Sequence, residues 1–89
     1  MTKKNTTISN KLGLHARASA KLTKLVGSFS CEVWLSRGDR RVNAKSIMGV
    51  MMLAAGVGTE VTLETEGARE EEAMEALLAL IADKFGEGE

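Results

Sequence analysis

His15 is the one histidine in the chain, and it stands in Gly13-Leu14-His15-Ala16-Arg17, directly ahead of apolar residues at helical spacing. An imidazole with an ordinary pKa of about 6.5 is partly uncharged near neutrality and can act as a nucleophile. A helix starting just after it offers unpaired backbone N–H groups and the positive end of the helix dipole, a setting that suits an anion carried on the ring. Gly13 supplies a flexible turn, Ala16 is too small to screen the helix end, and Arg17 adds a permanent planar cation suited to phosphate. The plainer reading of the same residues is a helix cap or a solvated surface histidine. The covalent reading makes His15 the attachment point of an anionic group.

The elements that must position this motif follow from periodicity. Thr2 to Ser9 is a weak, Thr-rich strand, and Asn10 to Leu14 a loop. From Ala16 onward, Ala18, Leu22, Leu25, Val26 and Phe29 recur at three- and four-residue intervals, which predicts a helix ending near Gly27. Cys31 to Ser36 alternates, Arg37-Gly38-Asp39-Arg40 reads as a turn, and Arg41 to Asn43 completes a hairpin. Ser46 is a favoured N-cap for a short helix through Leu53. Glu60 to Thr65 alternates again. A last helix opens with Glu70, Glu71 and Glu72 and carries the apolar stripe Ala73, Met74, Leu77, Leu78, Ile81 and Phe85, with Gly86 ending it.

The order is βαββαβα. Strands that alternate apolar with polar residues imply a sheet covered on one face, so the expected fold is α+β, an open-faced sandwich of a four-stranded antiparallel sheet and three helices. Trp34 falls on the open face with Glu32 and Ser36. There it either covers aliphatic stems or marks an interaction surface, and the first reading is preferred.

At 89 residues the chain is long enough for one modest core, so residues 1–89 are read as a single domain. No apolar stretch approaches the roughly twenty residues of a membrane span, and the N-terminus lacks the apolar region of a signal peptide, so the expected location is the cytoplasm. Cys31 is the single cysteine. It excludes an internal disulfide, and its alternation with Val33 and Leu35 predicts a buried, inert thiol. The His, Cys and carboxylate spacing gives no metal-ligand set, and no cofactor is expected.

The zero net charge conceals an asymmetry: residues 1–59 hold ten Lys/Arg against two acids, and residues 60–89 hold two against ten. A basic first two-thirds could steer acidic proteins or anionic ligands. Nucleic acid is disfavoured as a partner because the basic residues are dispersed and the aromatics are only Phe29, Trp34 and Phe85.

Two stretches carry a family resemblance over nearly the whole chain. Gly13-Leu14-His15-Ala16-Arg17 resembles the phosphorylation motif of the histidine-containing phosphocarrier (HPr) family of the bacterial phosphoenolpyruvate-dependent sugar phosphotransferase system. Val42-Asn43-Ala44-Lys45-Ser46-Ile47-Met48-Gly49-Val50-Met51 resembles that family's second signature, around the short helix. The resemblance implies that enzyme I passes a phosphoryl group to Nδ1 of His15 and that an enzyme IIA histidine then accepts it. The chain would thus be a covalent carrier in a phosphotransfer chain, classed with transferases, rather than an independent enzyme. With His15 as the N-cap, the N–H groups of Ala16 and Arg17 would face the phosphoryl oxygens while the Arg17 guanidinium offsets their charge. The family usually has proline where this chain has Ala18, so this turn gains some flexibility and an N–H that could serve as an extra phosphoryl donor.

Ser46 has two compatible readings. It is a helix N-cap by residue type, and in many relatives a dedicated HPr kinase/phosphorylase modifies the serine of this motif for regulation. Ile47, Met48, Met51 and Met52 exceed what one short helix can bury on a single face. Val50 and Leu53 are assigned to the core, whereas Met48 and Met51 are either core or an adaptable patch beside His15; the resemblance supports a partner-binding role for this helix. The competing functions are a nitrogen-regulatory paralogue of the same carrier and, in a different class, a small protein- or RNA-binding module with His15 as a cap. A monomer is expected, with no insertion into a membrane.

Overall fold

The computed structural model describes all 89 residues. Strand β1 (Thr2–Thr7), helix α1 (Ala16–Gly27), strands β2 (Glu32–Arg37) and β3 (Arg40–Asn43), helix α2 (Ile47–Met52), strand β4 (Glu60–Glu66) and helix α3 (Glu70–Ala82) follow one another in the expected βαββαβα order. The sheet is antiparallel throughout, in the order β1-β4-β2-β3.

Alternation decides which sheet face is covered. Val33 and Leu35 of β2 and Val61, Leu63 and Thr65 of β4 are buried. They pack with Ala18, Leu22 and Val26 of α1 and Ala73, Met74, Leu77 and Ile81 of α3 in one core. Thr65 is the polar member of this face, and its hydroxyl donates to the Glu70 carbonyl at 2.8 Å, so no donor is left unpaired there. Cys31 is buried and free, as its alternation implies. On the open face Trp34 is half-buried, with the Arg41 guanidinium 4.1 Å above its ring and Glu64 directly across the strand pair. Arg41 also bridges to Glu64 at 3.2 Å, so the indole is covered from within the chain.

The β2–β3 turn places Arg37 and Arg40 opposite each other. This like-charged pair has a use: Arg37 donates to the carbonyls of Leu53 and Ala54 at 2.9 and 3.0 Å, and Arg40 to that of Met52 at 2.7 Å. The two guanidiniums thereby cap the open carbonyls at the end of α2.

The end of the chain departs from the sequence reading. Phe85 is fully buried as expected, but it does not extend the stripe of α3, because that helix ends at Ala82 and a single 3₁₀ turn follows at Lys84–Gly86. Lys84, Phe85 and Gly86 all have positive φ, at 55°, 56° and 74°. Left-handed backbone is disfavoured at non-glycine residues, so packing of the Phe85 ring overrides local preference and turns the chain back. Beyond the turn, Glu87 to Glu89 run toward the start of α1.

Candidate functional site

His15 is the N-cap of α1, with extended backbone (φ −73°, ψ 179°). Its Nδ1 accepts the backbone N–H of Arg17 at 3.3 Å, a side-chain cap in which the ring nitrogen takes the place usually filled by an oxygen of Ser or Asp. The cap turns the ring toward the helix end and leaves its side chain 29% exposed. The amides of Ala16 and Ala18 make no hydrogen bond within the protein.

Gly13 sets where this cap stands. Its φ is +66°, and a Cβ on it would lie 2.5 Å from the Ala55 carbonyl oxygen and 2.7 Å from Gly56 Cα, both backbone atoms. Glycine is therefore needed twice over, for conformation and for close approach. The next residue completes the seam, since Leu14 N–H donates to Ala55 O at 2.9 Å. Behind the cap, Ser19 is fully buried and its hydroxyl reaches the Leu14 carbonyl at 3.1 Å.

Arg17 is exposed, and its guanidinium makes no ion pair. It borders one shallow depression with Lys11, Leu12, His15, Gly86, Glu87 and Glu89. Ala18 is fully buried, so its methyl group serves the core and only its N–H belongs to the helix end.

Two residues of this site escaped the sequence reading. Glu87 Oε2 lies 2.5 Å from His15 Nε2, and Glu87 Oε1 accepts from Asn10 Nδ2 at 2.9 Å. Asn10 is fully buried and also donates to the Gly13 carbonyl at 2.8 Å. These donors, the Asn10 amide first and the His15 ring second, hold the Glu87 carboxyl below the usual carboxylate range, so it is ionised at neutral pH. A contact across 72 positions has no local signature. The available signal was Gly86, a residue suited to reversing the chain just after an anchoring phenylalanine.

Ser46 is the N-cap of α2, and its Oγ accepts the Gly49 N–H at 3.2 Å. Val50 and Leu53 are buried, as expected. Met48 and Met52 are 65% and 62% exposed, and Ile47 and Met51 are also exposed, so α2 offers an apolar surface rather than a second core face. α1 and α2 pack against each other, which sets His15 and this surface on neighbouring elements.

The fold and the sequence as a whole agree with known proteins. A family model described as "PTS HPr component phosphorylation site" matches residues 2–83. The chain is 70% identical over 89 residues to a phosphocarrier protein HPr of Cupriavidus necator, covering all of both sequences. It is 42% identical to a phosphocarrier protein NPr of Shewanella violacea, over 98% of each. Among solved structures, HPr-C-His from Thermoanaerobacter tengcongensis superposes with a TM-score of 0.94 at 46% identity, over 98% of both chains.

Proposed function

As the chain belongs to the HPr family of phosphocarriers of the phosphotransferase system, we propose that residues 1–89 act as one carrier domain, taking a phosphoryl group from enzyme I onto His15 Nδ1 and giving it to an enzyme IIA histidine. The observation that carries this reading is the cap geometry. Nδ1 sits at the positive end of a 12-residue helix, beside the unpaired amides of Ala16 and Ala18 and the unpaired guanidinium of Arg17.

The chemistry follows from that placement. In the resting protein the Arg17 N–H occupies the Nδ1 lone pair through a long 3.3 Å bond, a weak restraint that an incoming phosphorus can displace. Once Nδ1 bears the phosphoryl group, its oxygens replace the ring nitrogen as acceptors for the amides of Ala16, Arg17 and Ala18. Arg17 balances the charge as the group moves between proteins. Catalysis is then a matter of position and electrostatics, with no cofactor.

The experiment is a relay: the chain phosphorylated by enzyme I and phosphoenolpyruvate is isolated and mixed with an enzyme IIA domain. Label leaving His15 and appearing on the IIA histidine is the expected result. Label retained on His15, or lost only to water, would contradict the carrier reading. Arg17→Ala is expected to keep the fold, since the side chain is exposed, and to slow both transfers by about tenfold to a hundredfold, the weight of one charged hydrogen-bonding partner. Equal rates for variant and parent would remove Arg17 from the mechanism.

The 70% identity to an HPr, against 42% to an NPr, favours the sugar branch over the nitrogen-regulatory one. No helix is long and apolar enough to cross a membrane. A cytoplasmic carrier serving several unlike partners fits the exposed Ile47, Met48, Met51 and Met52, whose flexible side chains adapt to different surfaces. Loss of their methyl NMR signals on titration with enzyme I would mark them as the docking face; changes confined elsewhere would exclude them.

Ser46 is exposed next to this surface, and we assign it as the target of a dedicated kinase. A phosphoryl group there adds about −1.5 to −2 charges at the start of α2, favourable for the helix and unfavourable for acidic partners. Incubation with HPr kinase and ATP should yield phosphoserine at position 46 and slow acceptance from enzyme I. Phosphoserine absent under conditions that modify a relative would reduce Ser46 to a cap.

A further inference from the structure

We propose that Glu87 is a positioning residue for phosphoryl transfer: its carboxylate holds the proton on Nε2 of His15, presents Nδ1 as the lone-pair nitrogen and offsets the positive charge the ring acquires when Nδ1 is phosphorylated. The proposal rests on the carrier reading above.

Three independent observations support it. The first is the ring itself. Nδ1 accepts a backbone N–H and Nε2 faces a carboxylate oxygen at 2.5 Å, so a neutral ring satisfies both contacts only with its proton on Nε2. The second is that the carboxylate is itself oriented. Each of its oxygens has one partner, His15 or Asn10, and both amide hydrogens of Asn10 are used, on Glu87 and on the Gly13 carbonyl. A base oriented by a third group is the arrangement that tunes nucleophiles and metal-bound histidines elsewhere.

The third is the backbone that delivers Glu87. Three consecutive residues, Lys84, Phe85 and Gly86, are left-handed immediately before it, and two of them are not glycine. The conformation is held by the fully buried Phe85 ring and by Lys21, whose Nζ donates to the Phe85 carbonyl at 2.6 Å. Strain maintained by surrounding structure is concentrated at functional sites, and here it ends on the reactive histidine.

The step balances without proton loss. The Nδ1 lone pair attacks phosphorus, the donor's P–N bond breaks and its electrons return to the donor imidazole. The product on His15 is a phosphoryl-imidazolium still protonated at Nε2, opposite an ionised carboxylate. On delivery the P–Nδ1 electrons return to the ring, which leaves as neutral imidazole rather than as an anion. Lys11, Arg17, Lys21 and Glu89 are the other charged groups around this contact. None of them approaches Nε2 within hydrogen-bond or ion-pair distance.

The test compares Glu87→Ala and Glu87→Gln with the parent in the full chain. Nitrogen-15 spectra of the ring at about pH 8, above the usual imidazole pKa, read the site of the proton and its exchange with water. Single-turnover phosphorylation by enzyme I reads the chemistry. The parent should show a slowly exchanging Nε2–H. Glu87→Ala should lose that protection and accept phosphoryl about tenfold more slowly at saturating enzyme I, with KM for enzyme I unchanged. Glu87→Gln, which keeps the shape without the charge, should fall between the two.

A parent without a protected Nε2–H overturns the proposal. So does a Glu87→Ala variant that loses protection yet accepts phosphoryl at the parental rate, or one that slows with its ring proton undisturbed. A parent that shows the protected proton but accepts no phosphoryl group would sink the carrier reading, and with it the catalytic part of the proposal, while leaving the contact itself in place.

Discussion

Replacing His15 with alanine is expected to abolish phosphoryl acceptance while leaving a folded domain. The two effects separate because the residue does two jobs of unequal weight. As a cap it satisfies one amide, that of Arg17, through a long hydrogen bond, and loss of a cap costs about 1 kcal/mol. As nucleophile it has no substitute, since the chain contains no second histidine. Removing the attacking group of a covalent mechanism typically costs at least about ten-thousandfold in rate. His15→Asn sharpens the comparison, because asparagine is a good N-cap without a phosphorylatable ring. Both variants should melt within a few degrees of the parent and incorporate no acid-labile phosphate. Incorporation at a parental rate in either would place the acceptor elsewhere.

The second large effect is expected at Phe85, far from the reacting atom in chemistry and near it in structure. Its side chain is fully buried, and truncation of such a phenylalanine costs about 3–5 kcal/mol. A domain of this size has a total stability on the order of 5–13 kcal/mol, so Phe85→Ala removes a large share of it. A fall of about 15 °C or more in melting temperature is expected. The ring also anchors the left-handed turn that leads to Glu87, so the variant should lose protection of the His15 ring proton even at temperatures where it remains folded. Phe85→Leu, which retains most of the apolar volume, should recover much of the stability. A melting temperature unchanged in Phe85→Ala would show that the ring is not the anchor.

These two predictions mark the boundary between what could be read in the chain and what could not. The helix from Ala16 was legible because Ala18, Leu22 and Val26 repeat at its period, and all three are buried. The caps were legible for a similar reason: His15 and Ser46 each directly precede such a stretch, and both accept an amide in the fold. Strands β2 and β4 declared their covered face by alternation. In each case the signal lies within a few residues of the feature it predicts.

Phe85 shows where this stops working. Four residues beyond Ile81, it continues the helical spacing, which predicts it as the last member of that stripe. The ring is buried as that spacing predicts, but the backbone is not helical, because the core captures the ring from a turn rather than from a helix. Glu87 and Asn10 lay further out of reach. Neither belongs to a periodic segment, and what joins them to His15 is a contact across the whole chain that exists only once α1, α3 and the final turn are packed together. A carboxylate drawn to the positive end of a helix is ordinary electrostatics, but residue spacing does not say which carboxylate will arrive.

Carriage of a phosphoryl group on Nδ1 of His15 can be read from phosphorus-31 and nitrogen-15 spectra of the chain after incubation with enzyme I and phosphoenolpyruvate. One phosphoryl group is expected, bonded to Nδ1 of His15, lost in acid and retained in base. No incorporation, with an enzyme I that phosphorylates another carrier in the same assay, would contradict it, and so would attachment at any other atom.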